Sequence, residues 1–139
     1  MPIITDITNR EKNIYFAGLF DGEGCIYVSK LPKTQRTYYN LSVVLCMCHE
    51  EVIKDFHRFY DCGTVHARSR KTPSGLTAYA WSAHGKDALH VLEQLTPYLR
   101  TKKEQAEVAM QYQNNRKTLK LAEQEAIYLQ LRQMKKGED

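Results

Sequence analysis

The chain has 139 residues, a formal net charge of +4, 42% hydrophobic and 26% charged residues, the balance of an ordinary globular domain. Its longest apolar run, Val43 to Cys48, is far short of the roughly 20 residues a membrane-spanning helix needs. The opening Met-Pro-Ile-Ile-Thr-Asp has neither the basic start nor the apolar run of a secretory signal, so an intracellular protein is expected, with no membrane partner, and with Cys25, Cys46, Cys48 and Cys62 as thiols.

The first element is a helix. Thr8 and Glu11 have the spacing of a capping box, and the pattern Ile14, Phe16, Ala17, Leu19 runs on to Asp21, where Gly22 and Gly24 should stop it. Cys25 to Leu31 reads as a strand, Pro32 to Thr37 as a turn, and Tyr38 to Cys48 as a long second strand. Period two splits that strand, with Tyr39, Leu41, Val43, Leu45 and Met47 toward a core and Asn40, Ser42, Val44, Cys46 and Cys48 away from it. Glu50 to Asp61 has helical spacing through Val52, Ile53, Phe56, Phe59 and Tyr60. Thr64 to Lys71 is a third strand with Thr64, His66, Arg68 and Arg70 on one face. Thr72-Pro-Ser-Gly75 is a turn, and Leu76 to Ala83 is a fourth strand pairing with the third. Helices are expected over Lys86 to Leu95, Thr101 to about Arg116 and Leu119 to Lys136, followed by a three-residue tail. The expected class is α+β, an antiparallel sheet with helices on one face. The whole chain reads as one domain, with a core over about 8–116, a C-terminal helix over about 119–136 and the tail at 137–139.

Charge is distributed unevenly along this framework. Residues 24–49 and 62–86, which hold the four strands, carry Lys30, Lys33, Arg36, Arg68, Arg70, Lys71 and Lys86 and not one acid. A sheet face of one sign suits a polyanion, and a twisted two-stranded ribbon fits the major groove of DNA.

The segment Phe16-Ala17-Gly18-Leu19-Phe20-Asp21-Gly22-Glu23-Gly24 breaks two local rules. Glycine within a helix costs about 1 kcal/mol relative to alanine, which is tolerable where another backbone must approach closely, as small residues four apart allow. Acids at a helix C-terminus face the negative end of the macrodipole, a penalty a divalent cation would reverse. Two such helices packed about a two-fold axis would place two Glu23 carboxylates near that axis, where Mg²⁺ would hold them together. Two metals about 4 Å apart can stabilise the attacking and leaving oxygens of a phosphodiester displacement.

This string closely resembles the signature of the LAGLIDADG homing endonucleases, with Phe16 for the usual Leu and Glu23 for the more frequent Asp. The order of elements also resembles that family's αββαββα core, with additional C-terminal helices and a saddle-shaped DNA-binding sheet. No second copy of the motif follows, and members with one motif act as homodimers. The resemblance implies a site-specific endonuclease that cuts both strands of a long, near-palindromic duplex and serves intron homing. It implies Mg²⁺ as cofactor, with Mn²⁺ substituting and Ca²⁺ supporting binding without cleavage.

Carried over residue by residue, Glu23 and the Gly22 carbonyl hold metal. His49 orients or activates water, and Lys102 stabilises developing charge, with Arg100 and Lys103 as neighbours able to replace it. Lys54 is a weaker basic candidate. Phe16, Ala17, Gly18, Asp21 and Gly22 are the expected dimer interface, although Asp21 looks more structural than catalytic. Arg68 and Arg70 suit guanine and Asn40 suits adenine. Ser29, Gln35, Ser42 and His66 are polar contacts, and Lys33 and Arg36 lie near the hairpin tip. Cys46, Ala78 and Ala80 are short contacts.

Other readings stay open beside this one. His49 can simply cap the helix that follows it. Cys46, Cys48, His49 and Cys62 invite a zinc reading, but the first pair lies on a strand rather than at the tight turn such sites use. An intron RNA-splicing maturase, with RNA as a possible partner, and a non-cleaving DNA-binding regulator are the alternative functions on the same fold.

Overall fold

A computed structural model describes residues 7–33, 36–68 and 71–136. Gln35 and Arg70 lie outside the described residues, as do the side chains of Lys33 and Arg36. Helix α1 spans Asn9–Glu23 and opens on Thr8, whose hydroxyl accepts from Glu11 N–H while the Glu11 carboxylate accepts from Thr8 N–H, so the capping box forms. Strands β1 (Gly24–Lys33) and β2 (Arg36–Met47) form a hairpin, helix α2 (Glu50–Tyr60) follows, and β3 (Thr64–Ala67) and β4 (Tyr79–His84) form a second pair. Helices α3 (Gly85–Leu95), α4 (Lys103–Asn115) and α5 (Leu121–Lys136) complete the chain, with short 3-10 turns at Thr96–Tyr98 and Arg116–Thr118. The sheet order is β1-β2-β4-β3 and every pairing is antiparallel.

The expected class and order therefore hold, and the boundaries move for local reasons. Helix α1 runs past Asp21 to Glu23, because Gly24 N–H still donates to Phe20 O. A Cβ at Gly24 would lie 2.4 Å from the Phe20 ring, so this position requires glycine. The third strand is shorter than expected. Beyond Ala67 one further bond, Arg68 N–H to Ala78 O at 2.8 Å, extends the ladder. A separate turn then takes over, with Thr72 N–H donating to Leu76 O and Gly75 N–H to Thr72 O.

One face of the sheet is the core face. Ile26, Val28, Tyr39, Leu41, Val43, Leu45, Trp81 and Ala83 are buried there against Phe16, Ala17 and Phe20 of α1, Ile53 and Phe56 of α2, and Val91, Leu92 and Leu95 of α3. Phe16, Phe56, Phe59, Tyr60 and Trp81 form a chain of edge-on and tilted ring contacts with centroids 4.7–5.8 Å apart, the geometry aromatic quadrupoles favour. Trp81 Nε1 donates to Cys62 O, and Tyr60 Oη donates to Asn13 Oδ1 at 2.8 Å, so these polar handles are satisfied inside the core. Burial pushes the Tyr60 phenol well above its ordinary pKa. Helix α5 packs along β1 and buries Leu131. No helix among the described residues is long and apolar enough to cross a membrane.

Candidate nucleic-acid interface and active site

The other face of the sheet is read row by row from the strand register. Asn40 lies opposite Ser29, Ser42 is flanked by Tyr27 and His84, Val44 by Cys25 and Ser82, and Cys46 lies beside Ala80, which pairs with His66. No acid stands in these rows. Lys30 does not belong to them. It shares the core-side parity of Ile26 and Val28, and its ammonium reaches Glu125 of α5 at 2.7 Å and the Tyr128 ring. Thr64, His66 and Arg68 are exposed, while Ser29, Asn40 and Cys46 are half-buried. The Ser29 hydroxyl donates to Asn40 O across the strands.

Three of the expected contacts have almost no surface to offer. Ala78 and Ala80 are 8% and 1% exposed, because a methyl group between larger neighbours lies below the face they define. Ser42 is 1% exposed, and its hydroxyl bonds His84 Nδ1 at 2.9 Å. His84 was not among the sequence candidates. Also missed was a basic turn, Arg116, Lys117 and Lys120, which lines a cavity of about 410 Å³ with Thr37 and Tyr38. The Arg116 guanidinium lies 4.9 Å over the Tyr38 ring and donates to Tyr39 O at 2.7 Å. The signal was present, since residues 108–122 carry these three cations and no acid.

Glu23 and Gly22 are exposed at the end of α1, immediately before β1. Among the described residues Glu23 makes no hydrogen bond or ion pair. Asp21 is different. Its carboxylate accepts from Arg100 N–H at 2.9 Å, from Thr101 Oγ1 at 3.1 Å and from Lys102 N–H at 3.1 Å. Its carbonyl accepts from Lys102 Nζ at 2.9 Å. Asp21 thus clamps the start of α4 onto the end of α1, and the donors offset the charge that the helix dipole disfavours. The clamp turns Lys102, 8% exposed, toward Glu23's end of the helix, while Arg100 and Lys103 stay exposed.

His49 comes to the same end of the sheet. Leu45 pairs with Gly24, and His49 follows four residues later as the N-cap of α2, its Nδ1 accepting from Val52 N–H. A neutral ring accepting at Nδ1 carries its proton on Nε2, so the nitrogen left for solvent is a donor. Lys54 pairs with Glu50 one turn along α2, at 3.4 Å. Cys25, Cys46, Cys48 and Cys62 are free thiols, and no group of three His, Cys, Asp or Glu among the described residues converges on a metal position. One protomer supplies one exposed carboxylate and nearby backbone oxygen, hard donors that suit Mg²⁺ or Ca²⁺.

The interface expected along α1 is split by the helix period. Phe16 and Ala17 are 6% and 0% exposed and belong to the protomer's own core, and Asp21 is spent on its clamp. The outward stripe is Ile14, Tyr15, Gly18 and Gly22, with Ile14 41% and Tyr15 58% exposed. A Cβ at Gly18 or Gly22 would meet nothing within 4 Å among the described residues, so these do not themselves require either glycine. A concavity of about 980 Å³ between α1 and α2 around Tyr15 and Phe59 includes none of Glu23, His49 and Lys102.

The family model of the LAGLIDADG endonucleases matches residues 16–117. The homing endonuclease I-CvuI, solved with the I-CreI target DNA and Mg, superposes with a TM-score of 0.78 at 22% identity, covering 91% of this chain and 83% of that one. The archaeal intron-encoded homing endonuclease I-Vdi141I, complexed with DNA, superposes with a TM-score of 0.75 at 14% identity, covering 88% and 83%. The homing endonuclease I-TnaI gives 0.62 at 18%, covering 76% and 74%. No curated protein matches the sequence.

Proposed function

The chain belongs to the LAGLIDADG endonuclease family, and from that premise we propose that two copies pair through α1 and cut both strands of a near-palindromic duplex with divalent metal. The observation that carries this reading is the outward stripe of α1. Two glycines that the protomer leaves open sit beside exposed Ile14 and Tyr15, and the stripe ends at exposed Glu23 beside an acid-free sheet. A second copy at Gly18 and Gly22 explains why glycine stands where alanine would stabilise the helix by about 1 kcal/mol. Neither the maturase nor the regulator reading has an observation of its own in its favour.

In this reading Glu23 and the Gly22 carbonyl hold the metal, which when bound supplies charge stabilisation for the attacking and leaving oxygens. His49 donates from Nε2 to a water oxygen and so orients the nucleophile, a narrower role than general base. Lys102 brings a cation to the end of α1, held in place by Asp21, to stabilise charge developing on the phosphate. The other wall of the site is DNA. Arg68 reads bases toward the centre of the duplex, His66, Asn40, Cys46 and Ser29 offer further contacts, and Gln35, Lys33, Arg36 and Arg70 complete the proposed set. Arg116, Lys117 and Lys120 add cations for the flanking backbone.

The test is selection from a randomised duplex library, with binding scored in Ca²⁺ and cutting scored after Mg²⁺ is added. One enriched near-palindromic site, cut on both strands, is expected. Binding of such a site without cutting contradicts the nuclease reading.

A further inference from the structure

We propose that His84, held by Ser42, is a specificity-determining residue of the DNA-reading face, donating a hydrogen bond from Nε2 to an acceptor on a base edge. This rests on the reading that the acid-free face binds duplex DNA. The strand register sets the geometry. Ser42 and His84 are Cα partners across β2 and β4, and cross-strand partners project from the same face of a sheet. Leu41 and Val43 on one strand and Ala83 on the other are buried on the core side, so Ser42 and His84 both project outward.

The two side chains then divide one role. Ser42 is buried between Tyr27 and His84 and cannot reach a partner molecule. His84 is exposed, and although it occupies the N-cap position of α3, its side chain makes no capping bond. The only hydrogen bond its ring makes among the described residues is Nδ1 to Ser42 Oγ at 2.9 Å.

The proton can be placed by asking what Ser42 needs. If Nδ1–H donated, the Ser42 hydroxyl proton would be buried with no acceptor among the described residues, a costly arrangement. If the hydroxyl donates to Nδ1, both groups are satisfied and the ring proton sits on Nε2. A protonated ring also carries a proton on Nε2. In either state the exposed nitrogen is a donor. A donor in the major groove selects purine N7, guanine O6 or thymine O4, and disfavours the amino groups of adenine and cytosine.

The experiment repeats the duplex selection with wild type, His84→Ala and Ser42→Ala, beside thermal unfolding of each chain. Wild type should prefer an acceptor-bearing base at one symmetry-related pair of positions. His84→Ala should lose that preference by about tenfold and keep preferences elsewhere. Ser42→Ala, which frees the ring but leaves its donor, should lose part of the preference at the same pair. An unchanged preference profile in His84→Ala overturns the inference. So does an affinity loss spread evenly over all positions, which marks a structural or phosphate-contacting residue. Wild type that selects no duplex overturns the DNA-binding reading itself, and is distinguishable because no profile then exists to compare.

Discussion

At the end of the sheet where α1 stops, Asp21 receives two backbone N–H groups, a hydroxyl and, through its carbonyl, the Lys102 ammonium, whereas further along β1 and β2 the ties to α5 are separate side-chain contacts, Glu125 on one side of the strands and Lys135 against Cys25 and Tyr27 on the other. Glu125 takes Lys30 on one oxygen and the Tyr39 hydroxyl on the other, on the core side of the sheet. The difference teaches how the work is divided. Chemistry needs its groups held to fractions of an ångström, and the motif end is cross-braced between two helices and the sheet. Base reading tolerates adjustment, and the hairpin is supported on its core side through Glu125, while at the β1 edge Lys135 of the same helix reaches Cys25 and Tyr27 of the outward rows.

Five expectations break or sharpen this contrast, in decreasing order of effect. Replacing Mg²⁺ by Ca²⁺, or chelating all divalent cations, should abolish cleavage entirely, while in the Ca²⁺ samples a selected duplex still binds, as measured on gels. Gly18→Leu should leave the protomer folded, since a Cβ at this exposed position meets nothing within 4 Å among the described residues. It should weaken self-association by about tenfold or more, the result of roughly 1–3 kcal/mol of overpacking, read by sedimentation. Asp21→Asn places an amide N–H against a backbone N–H and should lower unfolding free energy by about 2 kcal/mol. It should also slow cleavage, because the turn that carries Lys102 loses one of its side-chain anchors on Asp21.

Arg68→Gln should cost about 1–3 kcal/mol at one base pair and relax preference there, with the cleavage rate on a site tolerant at that pair little changed. Glu125→Gln should be the mildest, lowering the melting temperature by no more than a few degrees. Hydrogen bonds from Lys30 and Tyr39 hold the Glu125 carboxyl below its ordinary pKa. Its contribution is therefore complete above the usual carboxylate range and is lost as pH falls through the lowered folded value. Wild type and variant should melt alike at low pH and separate as pH rises.

The nine-residue motif and the acid-free strands were legible in the sequence because each breaks an average: glycines inside a helix, acids at its wrong end, basic residues unmatched by acids. The element order was legible because period two and period 3.6 separate cleanly here. Three things were not. A contiguous motif hides the fact that Phe16 and Ala17 face the core while Gly18 and Gly22 face out, a split that the helix period imposes. The pairing of Ser42 with His84 depends on a strand register 42 residues apart in the chain, which no local pattern encodes. The clamp of Asp21 on Arg100, Thr101 and Lys102 joins residues some 80 positions apart, and Asp21 looked structural without its partners being visible.

The most direct measurement is cleavage of a selected duplex by Glu23→Gln beside wild type in Mg²⁺, with binding measured on the same duplex in Ca²⁺. Glu23 is exposed and without a partner among the described residues, so the substitution removes charge without disturbing the fold. Loss of cutting by roughly a thousandfold or more, with binding largely intact, is the predicted result. Cutting at the wild-type rate contradicts the assignment of Glu23 as the metal-holding acid, and with it the account of why the motif ends as it does.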